Sequence, residues 1–465
     1  MSIVSSNWRL RHSSIRLIVS ALCLFLIVSA IPPVAFSQQK AAPVSATPPP
    51  IREEFQFGKV DLELLEQVDL LDRRFERDGL VFEDAAANAY LSRIGQLLIP
   101  KDLGIENVTW KFRALRDPQP NAFALPNGSI YVTTGLISLL DNESQLAAVL
   151  AHELTHVMRR HTYVQNRSNR KKFLAMNIIA AVGAYAPGGV VGAAITIATT
   201  VAPFIVVASM FGYSRELERE ADHRAIDMLI SAEYAPEEAI SALTLFGKDL
   251  EGEQIKHFYS DHPELPERIK YLRSYLGERA DRTTSQMELN REKAVYFRQM
   301  EPLMRHNVQL SINAARFRSA VYFAERLVEF RPDSSESVFL LAEAYRSLGP
   351  RAPELTSQEL TSSAKKDLAK KRVKQTTEEE ERAMLATPAG QENWKTHGKK
   401  AEEYYLRALS LDAPVAAAHR GLGMLYERQG RTGEALIQYE KYIALAPGAI
   451  DRERIQKRID ALRRT

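Results

Sequence analysis

His152-Glu153-Leu154-Thr155-His156 places two metal-binding side chains around one that can take a proton. On an α-helix, residues four apart lie above one another on one face, so both imidazoles can reach one metal while Glu153 stands beside it as a base. That is the pattern of a zinc-protease signature. The same five residues also arise by chance, and two histidines on an amphipathic helix can be no more than a polar stripe. Context favours the chemistry. Asp141 and Asn142 are good caps, Gln145 sits at capping-box distance from Asn142, and Leu146, Val149, Leu150 and Val157 supply an apolar face. The run 144–161 therefore predicts one continuous helix.

Zinc in a hydrolase takes three protein ligands and keeps one position open, so the two histidines require a third ligand elsewhere. The acidic run 214–225 supplies candidates. Glu218 and Asp222 share one helical face, whereas Glu220 points away from them. Glu218 can ligate while Asp222 orients a ligand histidine and fixes its tautomer. Taken alone, these acids would read as a solvated helix face; beside the first motif they read as a ligand and its support. His161 and His223 adjoin the motifs, but the first suits a helix end and the second lies off the ligand face. Neither is assigned to the metal. The donor that would stabilise an oxyanion is not identifiable; Tyr213, His257 and Arg268 are the polar candidates nearby.

Several elements must hold these residues. At 465 residues with 45% apolar, the chain exceeds one ordinary domain and can bury at least one large core. Arg9, Arg11 and Arg16 flank the apolar run 17–30, and Ala35-Phe36-Ser37 offers a small-residue cleavage pattern, so residues 1–37 are expected to be a signal peptide. An uncleaved anchor is the alternative, disfavoured by the short apolar core and by Pro32-Pro33. The single cysteine, Cys23, falls inside this segment, and Leu22 before it argues against a lipoprotein cleavage box. The mature chain would have no disulfide and lie outside the cytoplasm. Without those three arginines, 58 basic residues balance 58 acidic ones, which gives no footprint of nucleic-acid binding.

Residues 38–54, rich in Ala, Pro and Gln, read as a disordered leader. A catalytic domain is expected over 55–290, with helices near 60–75 and 82–98 and strands near 108–112 and 128–133. Asn121-Ala122-Phe123-Ala124 reads either as an exposed edge that aligns substrate as an added strand or as an ordinary internal strand. The nearly uncharged segment 173–211, broken at Pro187 and Pro203, reads as a helical hairpin that packs on the protein or makes peripheral contact with a membrane; two true spans are less favoured.

From 301 to 465 the texture changes to paired helices. Leu422, Gly423, Tyr426, Gly430, Ala435, Tyr439 and Pro447 match the tetratricopeptide pattern, whose period is roughly 34 residues. Ala401, Tyr405 and Ala408 repeat its second helix, and Val338, Leu341, Ala342, Tyr345 and Gly349 a first helix upstream. Ala320, Ala324, Leu327 and Pro332 suggest a degenerate unit. Residues 350–398, with a lysine-rich block followed by Glu378 to Glu381, read as a solvated insertion.

Taken together, these motifs and His262-Pro263 resemble the HExxH/Glu zinc metalloproteases of the CAAX prenyl protease class, and among them the periplasmic β-barrel assembly-enhancing proteases with C-terminal tetratricopeptide repeats. The resemblance implies a mainly α architecture: a zincin-like metalloprotease domain with a small β-sheet, followed by an α-solenoid. It further implies one Zn2+ per chain bound by His152, His156 and Glu218, with Glu153 as general base and Asp222 supporting a ligand. His262 would take the open metal position and hold the enzyme latent, against the simpler reading of an inert loop histidine.

The chemistry so implied is peptide hydrolysis in the periplasm, zinc activating water and Glu153 moving the proton. Substrates would be unfolded or misassembled proteins, outer-membrane proteins among them, with the repeats docking on outer-membrane assembly machinery. The rival reading is a non-proteolytic chaperone or assembly scaffold with a plugged zinc site.

Overall fold

The computed structural model describes residues 55–101, 105, 107–168, 213–247, 250, 265–277, 286–353, 377–411 and 415–464. The expected signal peptide, the leader, the apolar hairpin 173–211 and the loop with His257 and His262 lie outside these residues.

Helices α1 (Lys59–Arg77) and α2 (Ala85–Leu98) come first, near the predicted places. Asp84 caps α2 by accepting the Ala87 N–H at 2.8 Å, which is why the helix starts three residues later than its apolar periodicity suggests. A three-stranded sheet follows: β1 (Lys111–Leu115), β2 (Ala122–Ala124) and β3 (Ser129–Thr133). Its order is β1-β3-β2, with β1 parallel and β2 antiparallel to β3. The Pro126-Asn127-Gly128 turn makes the β2–β3 hairpin; Gly128 stands at φ 96°, and a Cβ there would lie 2.7 Å from the Thr109 carbonyl oxygen. β2 is thus an edge strand, with Phe123 opposite Tyr131.

The chain then forms α3 (Thr134–Leu139), α4 (Glu143–Met158), α5 (His161–Ser168), α6 (Arg215–Ser231), α7 (Glu238–Phe246) and α8 (Leu265–Gly277). α4 is buried along nearly its whole length. It packs on α6, α7, α2 and β2, so the HExxH residues lie inside the protein. One expectation fails here: the run 144–161 is not a single helix. It stops at Met158, Arg160 takes a left-handed φ of 56°, and α5 restarts at His161. That conformation costs a non-glycine residue energy. The buried Arg160 guanidinium compensates by lying against the rings of Phe57, Phe55 and Tyr163, at 5.0, 5.8 and 5.9 Å from their centroids.

Helix α9 (Gln286–Asn313) packs against α2, α3 and α4. Its Asn307 accepts the Thr134 hydroxyl, while Tyr296 donates to the Ile137 carbonyl. Next come α10 (Phe317–Phe330), α11 (Ser335–Leu348), α12 (Thr377–Leu385), α13 (Pro388–Ser410), α14 (Ala416–Arg428), α15 (Thr432–Leu445) and α16 (Arg452–Leu462). From α10 onward each helix packs on its predecessor, except that α11 meets α13 rather than α12 across the insertion. The described end of that insertion, 377–398, is helical rather than loose: Arg351 and Arg428 pair with Glu380 and Glu381 of α12. Among the described residues no helix is long and apolar enough to cross a membrane.

At Gly95 of α2 an added Cβ would fall 2.2 Å from the Phe112 ring of β1, so only glycine allows this approach of helix to sheet. Gly95→Ala is expected to cost about 1–3 kcal/mol through overpacking. Urea denaturation of the full chain measures it, and an unchanged midpoint would contradict the packing described.

Candidate metal centre

Caps and packing fix both helices that bear the site. Asn142 accepts the Gln145 N–H at 2.8 Å, and Gln145 reaches back to the Asp141 N–H at 2.7 Å, so the box closes on Asp141 rather than on Asn142. Both side-chain amides also donate to Glu238 of α7. Ser214 caps α6 by accepting the Leu217 N–H.

With α4 held against α6, three side chains converge. His152 Nε2 lies 3.1 Å from His156 Nε2 and 3.4 Å from Glu218 Oε2, and His156 Nε2 lies 3.6 Å from Glu218 Oε1. All three residues are buried. Ligand atoms bound to zinc at about 2.0–2.1 Å in a tetrahedron stand about 3.3 Å apart, so this spacing and this set of two imidazoles and a carboxylate fit zinc. Glu153, also buried, lines a cavity of about 30 Å³ together with His152, Asp222 and Arg268.

Asp222 supports His152: its Oδ1 lies 3.0 Å from His152 Nδ1. Arg268 of α8 grips the same carboxylate with two hydrogen bonds, Nε to Oδ2 at 2.8 Å and Nη2 to Oδ1 at 2.6 Å, and Tyr271 donates its hydroxyl to it. Burial alone would raise the Asp222 pKa; Arg268 and His152 outweigh it and hold the carboxyl far below its ordinary range. For His152 burial pulls downward, but Asp222 and Glu218 outweigh it and push the imidazole up to about 9. A metal must therefore displace a proton to bind.

His156 has a different neighbourhood. Its Nδ1 lies 2.9 Å from Nδ1 of His161, whose Nε2 is 3.4 Å from Glu220 Oε2. Tyr213 stacks on the His156 ring at 3.8 Å and 13°, its hydroxyl 3.0 Å from Thr162 Oγ1. Glu220 also pairs with Arg159 and Arg224. Burial, outweighing Glu220, keeps the His161 pKa below its usual value.

The structure thus brings together His152, His156, Glu153, Glu218 and Asp222, as the spacing predicts, while His262 and His257 lie outside the described residues. His223 stacks on Tyr275. Of the oxyanion candidates, Arg268 clamps Asp222 and Tyr213 lies on the His156 ring. Sequence reasoning missed Arg268, Tyr271 and His161 as supports of the site. The sequence offers Arg268 only as an oxyanion candidate and gives no signal for Tyr271, because both lie on a helix remote in sequence; His161 would have stood out had the break at Arg160 been visible.

Residues 85–276 match peptidase family M48. Every side chain just described around the candidate ligands falls within that span. The chain is 30% identical over 194 residues to the mitochondrial metalloendopeptidase OMA1 of Schizosaccharomyces pombe, a match covering 41% of this chain and 53% of that protein. It is 28% identical over 230 residues to the mitochondrial metalloendopeptidase OMA1 of Homo sapiens, covering 46% of this chain and 42% of that one. To the beta-barrel assembly-enhancing protease of Escherichia coli it is 24% identical over 193 residues, covering 40% and 36% respectively. The chain spans about half the length of these relatives or less.

Metal analysis of the purified chain should find about one zinc per molecule. Glu218→Ala should lower that content severalfold with the helical circular-dichroism signal intact; unchanged zinc would remove Glu218 from the ligand set.

Proposed function

We propose that this chain is a zinc-dependent endopeptidase with the HExxH/Glu arrangement of the CAAX prenyl protease class. The reading is carried by one observation: two imidazole nitrogens and a buried carboxylate meet at zinc spacing, with Glu153 beside them on the same helix. A zinc ion held by His152, His156 and Glu218 would supply Lewis acidity and an activated water. Glu153, beside the candidate ligands on the same helix, would accept a proton from the attacking water and deliver it to the departing amine. Asp222, clamped by Arg268, keeps His152 in register.

Substrate enters as an extended segment. Edge strand β2 lies against α4, and among the described residues no strand pairs with its outer edge, but Asn121 to Ala124 are only 1–8% exposed, so the added-strand reading requires that edge to be uncovered before substrate pairs with it. Extended segments come from unfolded or misassembled proteins, and we assign outer-membrane proteins in the periplasm as the clients. That compartment rests on the N-terminal signal pattern and on the likeness to the beta-barrel assembly-enhancing protease. The helices from α10 onward are read as tetratricopeptide repeats that dock the enzyme on its assembly machinery. Burial of Ala401, Tyr405, Leu422, Tyr426, Ala435 and Tyr439 supports this, because these are the positions where such repeats interlock. His262 is read as the plug that holds the site latent, and residues 173–211 as a peripheral membrane contact.

Glu153→Gln tests the catalytic reading. It should retain zinc and fold while lowering cleavage of an unfolded outer-membrane protein at least about a hundredfold, the scale of a lost general base. Wild-type protein that cleaves nothing, with His262→Ala equally inert, would favour the chaperone or scaffold reading instead.

A further inference from the structure

We infer that His161 and Glu220 form a positioning relay that sets the tautomer and orientation of His156 at the metal. The inference rests on the zinc reading of the site and extends it to residues that bind neither metal nor substrate.

His156 turns Nε2 toward His152 and Glu218, so its other nitrogen, Nδ1, points away from the metal position. That nitrogen stands 2.9 Å from Nδ1 of His161, a hydrogen-bond distance between two ring nitrogens. A proton must sit on one of them and not on the other. An imidazole that ligates through Nε2 while neutral carries its proton on Nδ1, so His156 donates and His161 accepts. A neutral His161 that accepts at Nδ1 must then carry its own proton on Nε2, the nitrogen facing Glu220 Oε2 at 3.4 Å. One choice of protons therefore satisfies the whole chain from metal position to carboxylate.

The arrangement mirrors the other ligand. Helix α6 supplies Asp222 directly to His152, and supplies Glu220 to His156 through His161. A direct carboxylate is replaced by a longer relay because His161 occupies the space between His156 and Glu220. Its place there depends on the break at Arg160, whose left-handed backbone turns the chain so that the residue after it faces back to His156. Arg159, on the other side of the break, fixes Glu220 by an ion pair, and Arg224 does so from α6 itself at 3.3 Å. Tyr213 closes the open face of the His156 ring. Each of these contacts restrains an imidazole that the metal needs in one orientation.

The experiment compares the full-length wild type, His161→Leu and His161→Asn. Zinc affinity is read by competition with a chromogenic chelator, and tautomers by 15N NMR of the histidine-labelled, zinc-loaded wild type. Asparagine keeps an acceptor oxygen near the place of Nδ1, whereas leucine keeps only volume. We expect His161→Leu to weaken zinc by about 10–100-fold, the usual effect of losing the partner of a ligand imidazole, and His161→Asn to recover most of that loss. In the wild type, His156 should be protonated at Nδ1 and His161 at Nε2. The inference is overturned if the leucine variant binds zinc as tightly as the wild type, or if His161 carries its proton on Nδ1. The tautomer measurement needs no variant, so it stands even if the leucine chain fails to fold. If the wild type binds no zinc at all, the metal-centre reading falls and this inference with it; normal zinc binding with an unaffected leucine variant removes only the relay.

Discussion

Two imidazoles and a carboxylate cannot be pressed together out of water without a cation to share, because their lone pairs repel and their hydration is lost. The contact of α4 with α6 imposes that proximity, and the rest of the domain is arranged around enforcing it. Burial would lower the His152 pKa, yet Asp222 and Glu218 push it up to about 9, a sign of how strongly this enclosure favours positive charge. Arg268 is a second response to the same constraint. It places a permanent cation against Asp222, which with His152 outweighs burial and holds that carboxyl far below its ordinary range, and its Nη1 lies 3.6 Å from Glu218 Oε2.

Enforcement extends beyond the two helices. α7 ties down the start of α4 through Glu238, and α9 reaches the same turn where Glu292 accepts the Ser144 hydroxyl. From the helical array, Arg326 of α10 donates to the carbonyls of Leu139 and Leu140 and pairs with Asp141, just before the motif helix begins. The array is therefore fastened to the loop that aims the HExxH helix, and its first helices form part of the support of the candidate site.

Much of this was legible in the sequence. A helical spacing of four carries both histidines, and the same spacing carries Glu218 and Asp222, because period alone decides which residues share a face. The strand Ser129–Thr133 and the paired helices were readable for a similar reason, since alternation and fixed small residues are local properties, whereas the first strand starts at Lys111, three residues later than its β-prone run suggests. What stayed hidden was set by tertiary contacts. The run 144–161 has no glycine or proline to mark a stop, and only the aromatic cage around Arg160 explains why the helix ends before His161. Arg268 and Tyr271 sit about fifty residues from Asp222, so nothing local announces that they meet it. The charged insertion looked uniformly solvated, yet its acidic end forms a helix because Arg351 and Arg428 are placed to receive it.

The most direct test of the account is a crystal of the zinc-loaded chain measured on both sides of the zinc absorption edge. One anomalous peak is expected about 2.0–2.2 Å from His152 Nε2, His156 Nε2 and a Glu218 oxygen. A peak bound elsewhere, or one that leaves Glu218 out, would contradict it.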